Sequence, residues 1–287
     1  MNCIVTGSSG RLGRAVIELL HAEGMPCTGI DLTPSEHTDI EADIRDAEAI
    51  QSLLNDADAV IHTAALHGYH VDRNYPEAEF VRTNVLGTAY LLNAARAHGI
   101  RRFVYTSSTS VYGEAMSQPD RAVWVDEDLT PQPRDIYDAT KLAAEQLCRL
   151  YFDPGSLQTC VLRVSRFMDE PLNDIANYRL YRGLDERDGA RAHLLAIRHE
   201  HERFEIYNIS NRSPFSRNQL AELKTGPAGL VKSLFSGIED SYSRLDWQLP
   251  ESIDRVYAID KAERLLGYDP VHNFTAYVEQ QLQQLNS

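Results

Sequence analysis

Tyr137 and Lys141 stand four residues apart in the run Tyr137-Asp138-Ala139-Thr140-Lys141. Across residues 137–151 the apolar positions Leu142, Leu147 and Leu150, with Ala139, Ala143 and Ala144, recur at helical spacing. On a helix, positions i and i+4 share a face, so the phenol and the ammonium are expected to meet a common neighbour. A free tyrosine, with a pKa of about 10, is a poor base at neutral pH. A lysine ammonium held nearby favours the phenolate and lowers that value. Such a pair can give or take a proton at a hydroxyl or carbonyl. A solvated helix surface can carry the same spacing, so the sequence upstream decides between the two readings.

Residues 1–6 read as a short buried strand. Gly7-Ser8-Ser9-Gly10-Arg11-Leu12-Gly13 follows, and then Ala15, Val16, Leu19 and Leu20 at helical spacing. Strand, glycine turn and helix is the context in which a dinucleotide pyrophosphate rests on a helix N-terminus, where free N–H groups and the dipole favour an anion. The spacing is G-x-x-G-x-x-G, with Ser9, Arg11 and Leu12 between the glycines. A second strand over residues 26–30 ends at Asp31, about 20 residues beyond the turn, where an acidic residue meets the adenosine ribose. Its carboxylate accepts from a 2′-hydroxyl and repels a 2′-phosphate, which favours NAD over NADP. Arg11 and Arg14 soften that preference.

Further elements carry further candidates. Asp43-Ile44 follows a short extended stretch, and a helix is expected over 47–54. Residues 59–65 read as a buried strand ending in Ala64 and Ala65, small enough for a cofactor to lie against the backbone. Residues 66–74 read as a loop that either faces substrate, with His67 in contact, or is merely solvated. No Cys or carboxylate sits at ligand spacing beside His67 and His70, so no metal is expected. A long helix over 78–98 contains Asn84 and Gly87. The strand 102–108 delivers Ser107, Ser108, Thr109 and Ser110 at its C-terminal end, where ligands bind in doubly wound sheets. Ser108 is placed to hydrogen-bond a substrate oxygen beside Tyr137.

Taken together, these pieces resemble the extended short-chain dehydrogenase/reductases of the NAD-dependent epimerase/dehydratase family. The resemblance rests on Thr6-Gly7, Gly10, Gly13, Asp31, Asp43-Ile44, His62-x-Ala64-Ala65, Asn84-x-x-Gly87-Thr88, Ser107-Ser108-x-x-Val111-Tyr112-Gly113 and Tyr137-x-x-x-Lys141, in family order. It implies an α/β Rossmann-type doubly wound parallel sheet over residues 1–165. A smaller substrate-binding region, 166–287, would be interleaved with it. It implies bound NAD touching Gly7, Ser9, Gly10, Arg11, Leu12, Gly13, Asp31, Asp43, Ile44, Ala64, Ala65, Asn84, Tyr137 and Lys141. It also implies roles: Ser108 on the substrate oxygen, Tyr137 as acid/base, and Lys141 on the nicotinamide ribose and on the tyrosine pKa. A homodimer through the helices at 78–98 and 137–151 is likewise implied.

Two departures narrow the substrate. Sugar-nucleotide members carry an asparagine about where this chain has Arg166, and a long helical insertion where only a short link separates Arg166 from Arg182. Short resemblances to uronate dehydrogenases, at residues 151–153 and 177–179, suggest a free sugar or sugar acid held by His67, Ser108, Thr109, Arg166 and Arg179. Arg179 pairing with an acidic neighbour is the equal alternative. A dehydratase needs a second acid/base pair, and Thr109 and Ser110 occupy the positions where Asp-Glu would serve. A nucleotide-sugar epimerase or dehydratase with tightly held NAD, and a dinucleotide sensor without turnover, remain the alternatives to a dehydrogenase.

Composition fits this reading. A net charge of −14 over 287 residues, 43% of them hydrophobic, repels nucleic acid and anionic membrane. Four cysteines without a C-x-x-C pair read as reduced, packed thiols of a cytoplasmic protein. The first residues show no basic or long apolar segment of the targeting kind. Towards the C-terminus, residues 204–209 read as a strand, and 219–223, 262–266 and 275–285 as helices. Residues 226–252 give no clear pattern.

Overall fold

The computed structural model describes residues 1–167 and 169–286. Seven parallel strands form the main sheet: β1 (Cys3–Thr6), β2 (Cys27–Asp31), β3 (Ile40–Glu41), β4 (Ala59–His62), β5 (Arg102–Ser108), β7 (Gln158–Val164) and β8 (Glu205–Ile209). Their order is β3-β2-β1-β4-β5-β7-β8. A separate parallel pair joins β6 (Val123–Val125) to β9 (Arg255–Tyr257). The order turns back between β1 and β4. At such a switch point, loops leave the strand ends in opposite directions and open a crevice.

Strands buried on both faces read as continuous apolar runs, and β4, β5 and β7 are nearly all buried. Helices cover both faces. Arg11–Ala22 and Glu186–Arg198 pack on one side with Val16, Leu20, Ala190 and Ile197. Ala47–Leu53, Thr88–Ala97 and Ile136–Tyr151 pack on the other with Ile50, Leu91, Ala144 and Cys148. A third apolar cluster, including Tyr242, Ile253 and Phe274, sits in the C-terminal region.

Several sequence expectations need correction. The helix expected over 78–98 is three pieces: α-helix Glu77–Phe80, a π-helical stretch Val81–Gly87, and α-helix Thr88–Ala97. Gly87 lies inside the π stretch, and a Cβ there would meet Ile44 at 2.8 Å, which explains a mid-helix glycine by close packing. The loop 66–74 contains a short helix, Gly68–Asp72, capped by His67. Residues 226–252, without clear pattern in sequence, hold helices Pro227–Leu234 and Ile238–Leu245. No helix among the described residues is long and apolar enough to cross a membrane.

Candidate active site

A cleft of about 1010 Å³ runs along the C-terminal ends of β1, β2, β4, β5 and β7. That is the upper end of the usual range for a ligand site. One half is built on β1 and β2. Gly7 takes φ +76°, and a Cβ on it would stand 2.6 Å from the Ala64 nitrogen; a Cβ on Gly13 would stand 2.0 Å from the Gly7 oxygen. The turn therefore needs glycine at both positions. It leads into the N-terminus of the Arg11–Ala22 helix. Asp31 closes this half: its carboxylate accepts from the Ser9 N–H (3.1 Å) and the Thr33 N–H (2.9 Å).

The other half is built on β5 and the Ile136–Tyr151 helix. Asp135 caps that helix by accepting from the Asp138 N–H at 2.8 Å. Gly113 brings the preceding loop up to the end of β5. It takes φ +53°, a Cβ on it would overlap the Gln132 oxygen at 1.8 Å, and the Glu114 N–H donates to that oxygen at 2.9 Å. Ser108, at the end of β5, accepts from the Ser110 N–H (3.1 Å) and the Ser110 hydroxyl (2.9 Å).

Beneath these groups lies a buried ionic network. Arg163 on β7 forks onto Glu145 (Nε to Oε1 2.9 Å, a second nitrogen to Oε2 2.7 Å), and the Ser107 hydroxyl donates to the same carboxylate at 2.6 Å. Arg163 lies 4.8 Å from the Tyr112 ring centroid, and the Tyr112 hydroxyl donates to Asn208 at 2.8 Å. Glu145 is one helical turn beyond Lys141. The network therefore fixes the helix carrying Tyr137 and Lys141 against the strand carrying Ser108.

The electrostatics correct one expectation. Burial raises the Tyr137 pKa to about 12; a hydrogen bond with Ser108 pulls it down, and Asp138 and Asp135 push it further up. Lys141 is not among these causes. Its ammonium donates to the Thr106 carbonyl at 2.5 Å and lies 4.4 Å from the Tyr105 ring centroid, while burial pulls its own pKa down to about 7 against the pull of Glu145. Burial thus favours the protonated phenol, the form that gives a proton in the reducing direction. To serve as base its phenolate must be stabilised, and Ser108 is the group already doing so.

Gly7, Ser9, Gly10, Arg11, Leu12, Gly13, Asp31, Asp43, Ile44, Ala64, Ala65, His67, Ser108, Thr109, Tyr137, Lys141 and Arg166 all line the cleft. Asn84 and Arg179 do not. The Asn84 amide is buried; it accepts from the Leu66 N–H at 2.9 Å and donates to the Leu66 carbonyl (2.9 Å) and Thr140 (3.1 Å). It ties the 66–74 segment to the Tyr137 helix without reaching the cleft. Arg179 is buried against Asp185 at 2.8 Å and donates to the His272 carbonyl. Asp185, pulled well below the usual carboxylate range despite its burial, is the acidic neighbour that takes up Arg179.

Sequence reading missed Arg134, Asp138, Arg182, Arg255 and Tyr257, all on the cleft wall. Asp138 is fully buried, and burial raises its pKa, with the Ser110 hydroxyl and Arg134 opposing. It was hidden as a filler position between Tyr137 and Lys141. Arg255 lies beyond the stretch 226–252 that gave no clear pattern, and no local signal marked it. Among the described residues no group of three or more His, Cys, Asp or Glu side chains is placed to hold a metal ion.

Residues 3–168 match the NAD dependent epimerase/dehydratase family. The chain belongs to this family. A dTDP-glucose 4,6-dehydratase of Streptomyces antibioticus is 31% identical over 314 residues, covering 96% of this chain and 89% of that protein. A uronate dehydrogenase of Agrobacterium fabrum is 30% identical over 177 residues, covering 59% of this chain and 63% of that protein. The UDP-N-acetylglucosamine 4-epimerase of Bacillus cereus superposes over the whole of both chains with a TM-score of 0.69 at 26% identity. A short-chain dehydrogenase/reductase superfamily protein from Agrobacterium tumefaciens, solved with bound NAD, shares the fold with a TM-score of 0.73 at 22% identity.

This family member is thus an NAD-dependent enzyme, and its own residues fit the cofactor. The glycine turn leaves no room for side chains where a pyrophosphate approaches the helix N-terminus. Asp31 presents a carboxylate held by backbone N–H groups at the end of β2, and Ala64 and Ala65 leave the wall of the cleft low. NAD supplies hydride acceptance or donation; the chain supplies orientation and the proton.

Proposed function

We propose that this enzyme oxidises a secondary alcohol of a small free sugar or sugar acid, with Tyr137 moving the proton and Ser108 holding the reacting oxygen. The observation that carries the small-substrate reading is the short connection after β7. One eight-residue helix, Leu172–Arg179, fills it before the chain returns to pair Arg166 with Gly183. That leaves little chain to clamp a nucleotide diphosphate. The cleft wall beyond Ser108 and Tyr137 carries Arg166, Arg182, Arg255 and Tyr257, which suits a compact polar substrate.

A dehydrogenase leaves one NADH per product, whereas an epimerase or dehydratase of this family returns NAD each cycle. Incubation of the protein with NAD and a free hexose or hexuronate, with NADH followed by absorbance and product by mass spectrometry, separates the two. Equimolar NADH and product support the proposal. Product without NADH, from a nucleotide sugar, overturns it.

A second reading, a nucleotide-sugar dehydratase or epimerase, draws on the match to the Streptomyces dehydratase over nearly the whole chain. Against the dehydratase branch stand Thr109 and Ser110. The Thr109 hydroxyl points back to the Val164 carbonyl at 3.4 Å and the Ser110 hydroxyl to Ser108, so neither supplies an acid.

We also propose a cytoplasmic homodimer. Val81, Leu86 and Leu150 are exposed apolar side chains on the two helical regions that would pair. Sedimentation equilibrium giving a monomer at micromolar concentration would remove that part.

A further inference from the structure

Six arginines line the cleft, and five of them are already paired. Arg11 meets Asp169 (2.9 Å), Arg45 meets Asp43 (2.6 Å), and Arg134 meets Asp138 (3.4 Å). Arg166 is forked onto Glu170, and Arg255 onto Asp254. Arg182 is different. Among the described residues its guanidinium has neither a carboxylate within ion-pair distance nor a hydrogen-bond acceptor, and its Nε is buried without a partner. Asp254 is near enough for Arg182 to lower its pKa, yet its two oxygens are taken by the Arg255 fork.

The side chain is nevertheless held in place. Its guanidinium lies 4.1 Å from the Tyr178 ring centroid and 5.5 Å from that of Tyr181. Its backbone N–H donates to the Tyr178 carbonyl (2.8 Å), and its carbonyl accepts from the Arg166 N–H (3.3 Å). Gly183, next in the chain, allows this tight turn, since a Cβ there would meet the Arg179 nitrogen at 2.8 Å. A half-buried cation on an acidic protein, fixed against two aromatic faces and left without an anion, loses hydration and gains no ion pair. Removing charge from water without a partner is costly. A planar guanidinium meets a carboxylate or phosphate through two parallel hydrogen bonds.

We infer that Arg182 is the anchor for an anionic group of the substrate, a carboxylate or phosphate. The inference rests on the proposed dehydrogenase reading of the cleft and narrows its substrate from sugars in general to anionic ones. It moves the anion-binding role from Arg179, which Asp185 occupies, to the residue directly before Gly183, where the chain returns to bridge Arg166. Arg182 acts on binding and orientation and takes no proton.

The test uses the NADH-loaded protein, which binds an alcohol substrate without oxidising it. Calorimetric titration with a hexuronate, a hexose phosphate, the neutral hexose and UDP compares wild type with Arg182→Gln and Arg182→Lys. At least one of the two anionic sugars should bind wild type about 10-fold or more tightly than the neutral hexose, the scale of one charge-assisted pair. Which of the two binds distinguishes carboxylate from phosphate. Arg182→Gln should abolish the preference, and Arg182→Lys should restore part of it, since charge returns without the fork. NADH affinity should be the same in all three proteins, which separates loss of an anchor from loss of fold.

Equal affinity for hexose and anionic sugars in wild type, or an unchanged preference in Arg182→Gln, overturns the inference. Arg182-dependent binding of UDP in place of the sugars keeps the anion site but removes the small-substrate reading. Arg182-dependent binding of a hexuronate that the NAD-loaded enzyme fails to oxidise keeps the site and removes the dehydrogenase reading.

Discussion

The two halves of the cleft are built on opposite principles. The cofactor half is backbone: a glycine turn, a helix N-terminus, two alanines, and one carboxylate tethered by the Ser9 and Thr33 N–H groups. Its parts come from one continuous stretch of chain after β1 and from the ends of the two strands that flank it, β2 and β4. The half we assign to substrate is side chain: Arg134, Arg166, Arg182, Arg255 and Tyr257, drawn from segments as far apart as the loop before the Tyr137 helix and β9. Backbone cradles tolerate little variation, whereas an assembly of long side chains can be retuned one residue at a time. A family that keeps one cofactor and varies its substrate is expected to show this division.

Removing the scaffold shared by both halves should have the largest effect. Glu145→Ala leaves Arg163 buried without its partner, and the loss of a buried ion pair's one member costs ~3–5 kcal/mol. Urea denaturation should show that loss, and both NAD and substrate binding should weaken together. A loss under ~1 kcal/mol would mean that the Arg163–Glu145 pair does not hold the halves in register.

The next effect separates the halves. Tyr137→Phe keeps the ring and removes the hydroxyl that carries the proton, so kcat should fall by about 100-fold or more, with NAD affinity nearly unchanged by calorimetry. Near-wild-type turnover would show that the proton travels by another route.

Asp31→Ala touches the cofactor half only. NAD should bind about 10-fold more weakly, the scale of one charge-assisted hydrogen bond, and the gap between NAD and NADP should narrow. Affinity of the NADH-loaded protein for an anionic sugar should not move. Tighter binding of NADP than NAD by the wild type would remove Asp31 from this role.

The last effect is a pH dependence and concerns three buried histidines. Burial lowers His62 to a pKa of about 3 and His193 and His201 to about 4. Unfolded histidines titrate near 6.5, so between about 4 and 6.5 the unfolded chain binds more protons than the folded one. Their contribution is complete above 6.5 and is lost as pH falls, by up to ~1.4 kcal/mol per pH unit for each group. His193→Gln should flatten the acid limb of stability against pH by about that amount per unit. An unchanged slope would mean that His193 is not kept neutral by its place between Thr106 and the Gly189 carbonyl.

The same division explains what was legible in the sequence. The sheet, the glycine turn, Asp31, and the Ser108, Tyr137 and Lys141 set follow from local signals: periodicity, glycine spacing and strand ends. Residues whose meaning depends on a distant partner were not legible. Arg179 stood equally between a substrate anion and an acidic neighbour, and only the fold brings Asp185 and the His272 carbonyl onto it. Arg182 looked like its neighbour, and only its lack of a partner distinguishes it. Asn84 bears a family-like signature, but its amide is spent on Leu66 and Thr140. Spacing placed Tyr137 and Lys141 on one helix lining the cleft, but the expected lowering of the phenol pKa by Lys141 did not follow. Burial raises it instead, and the ammonium is turned toward Thr106.

Substrate competition tests the central claim most directly. The rate of NADH formation from NAD is measured with a hexuronate, a neutral hexose, and UDP- and dTDP-sugars, each with and without added UDP. The account predicts turnover of the free sugar acid, none of the nucleotide sugars, and no inhibition by micromolar UDP. Turnover confined to nucleotide sugars, with micromolar UDP competing against them, would contradict it and return the cleft to the nucleotide-sugar reading.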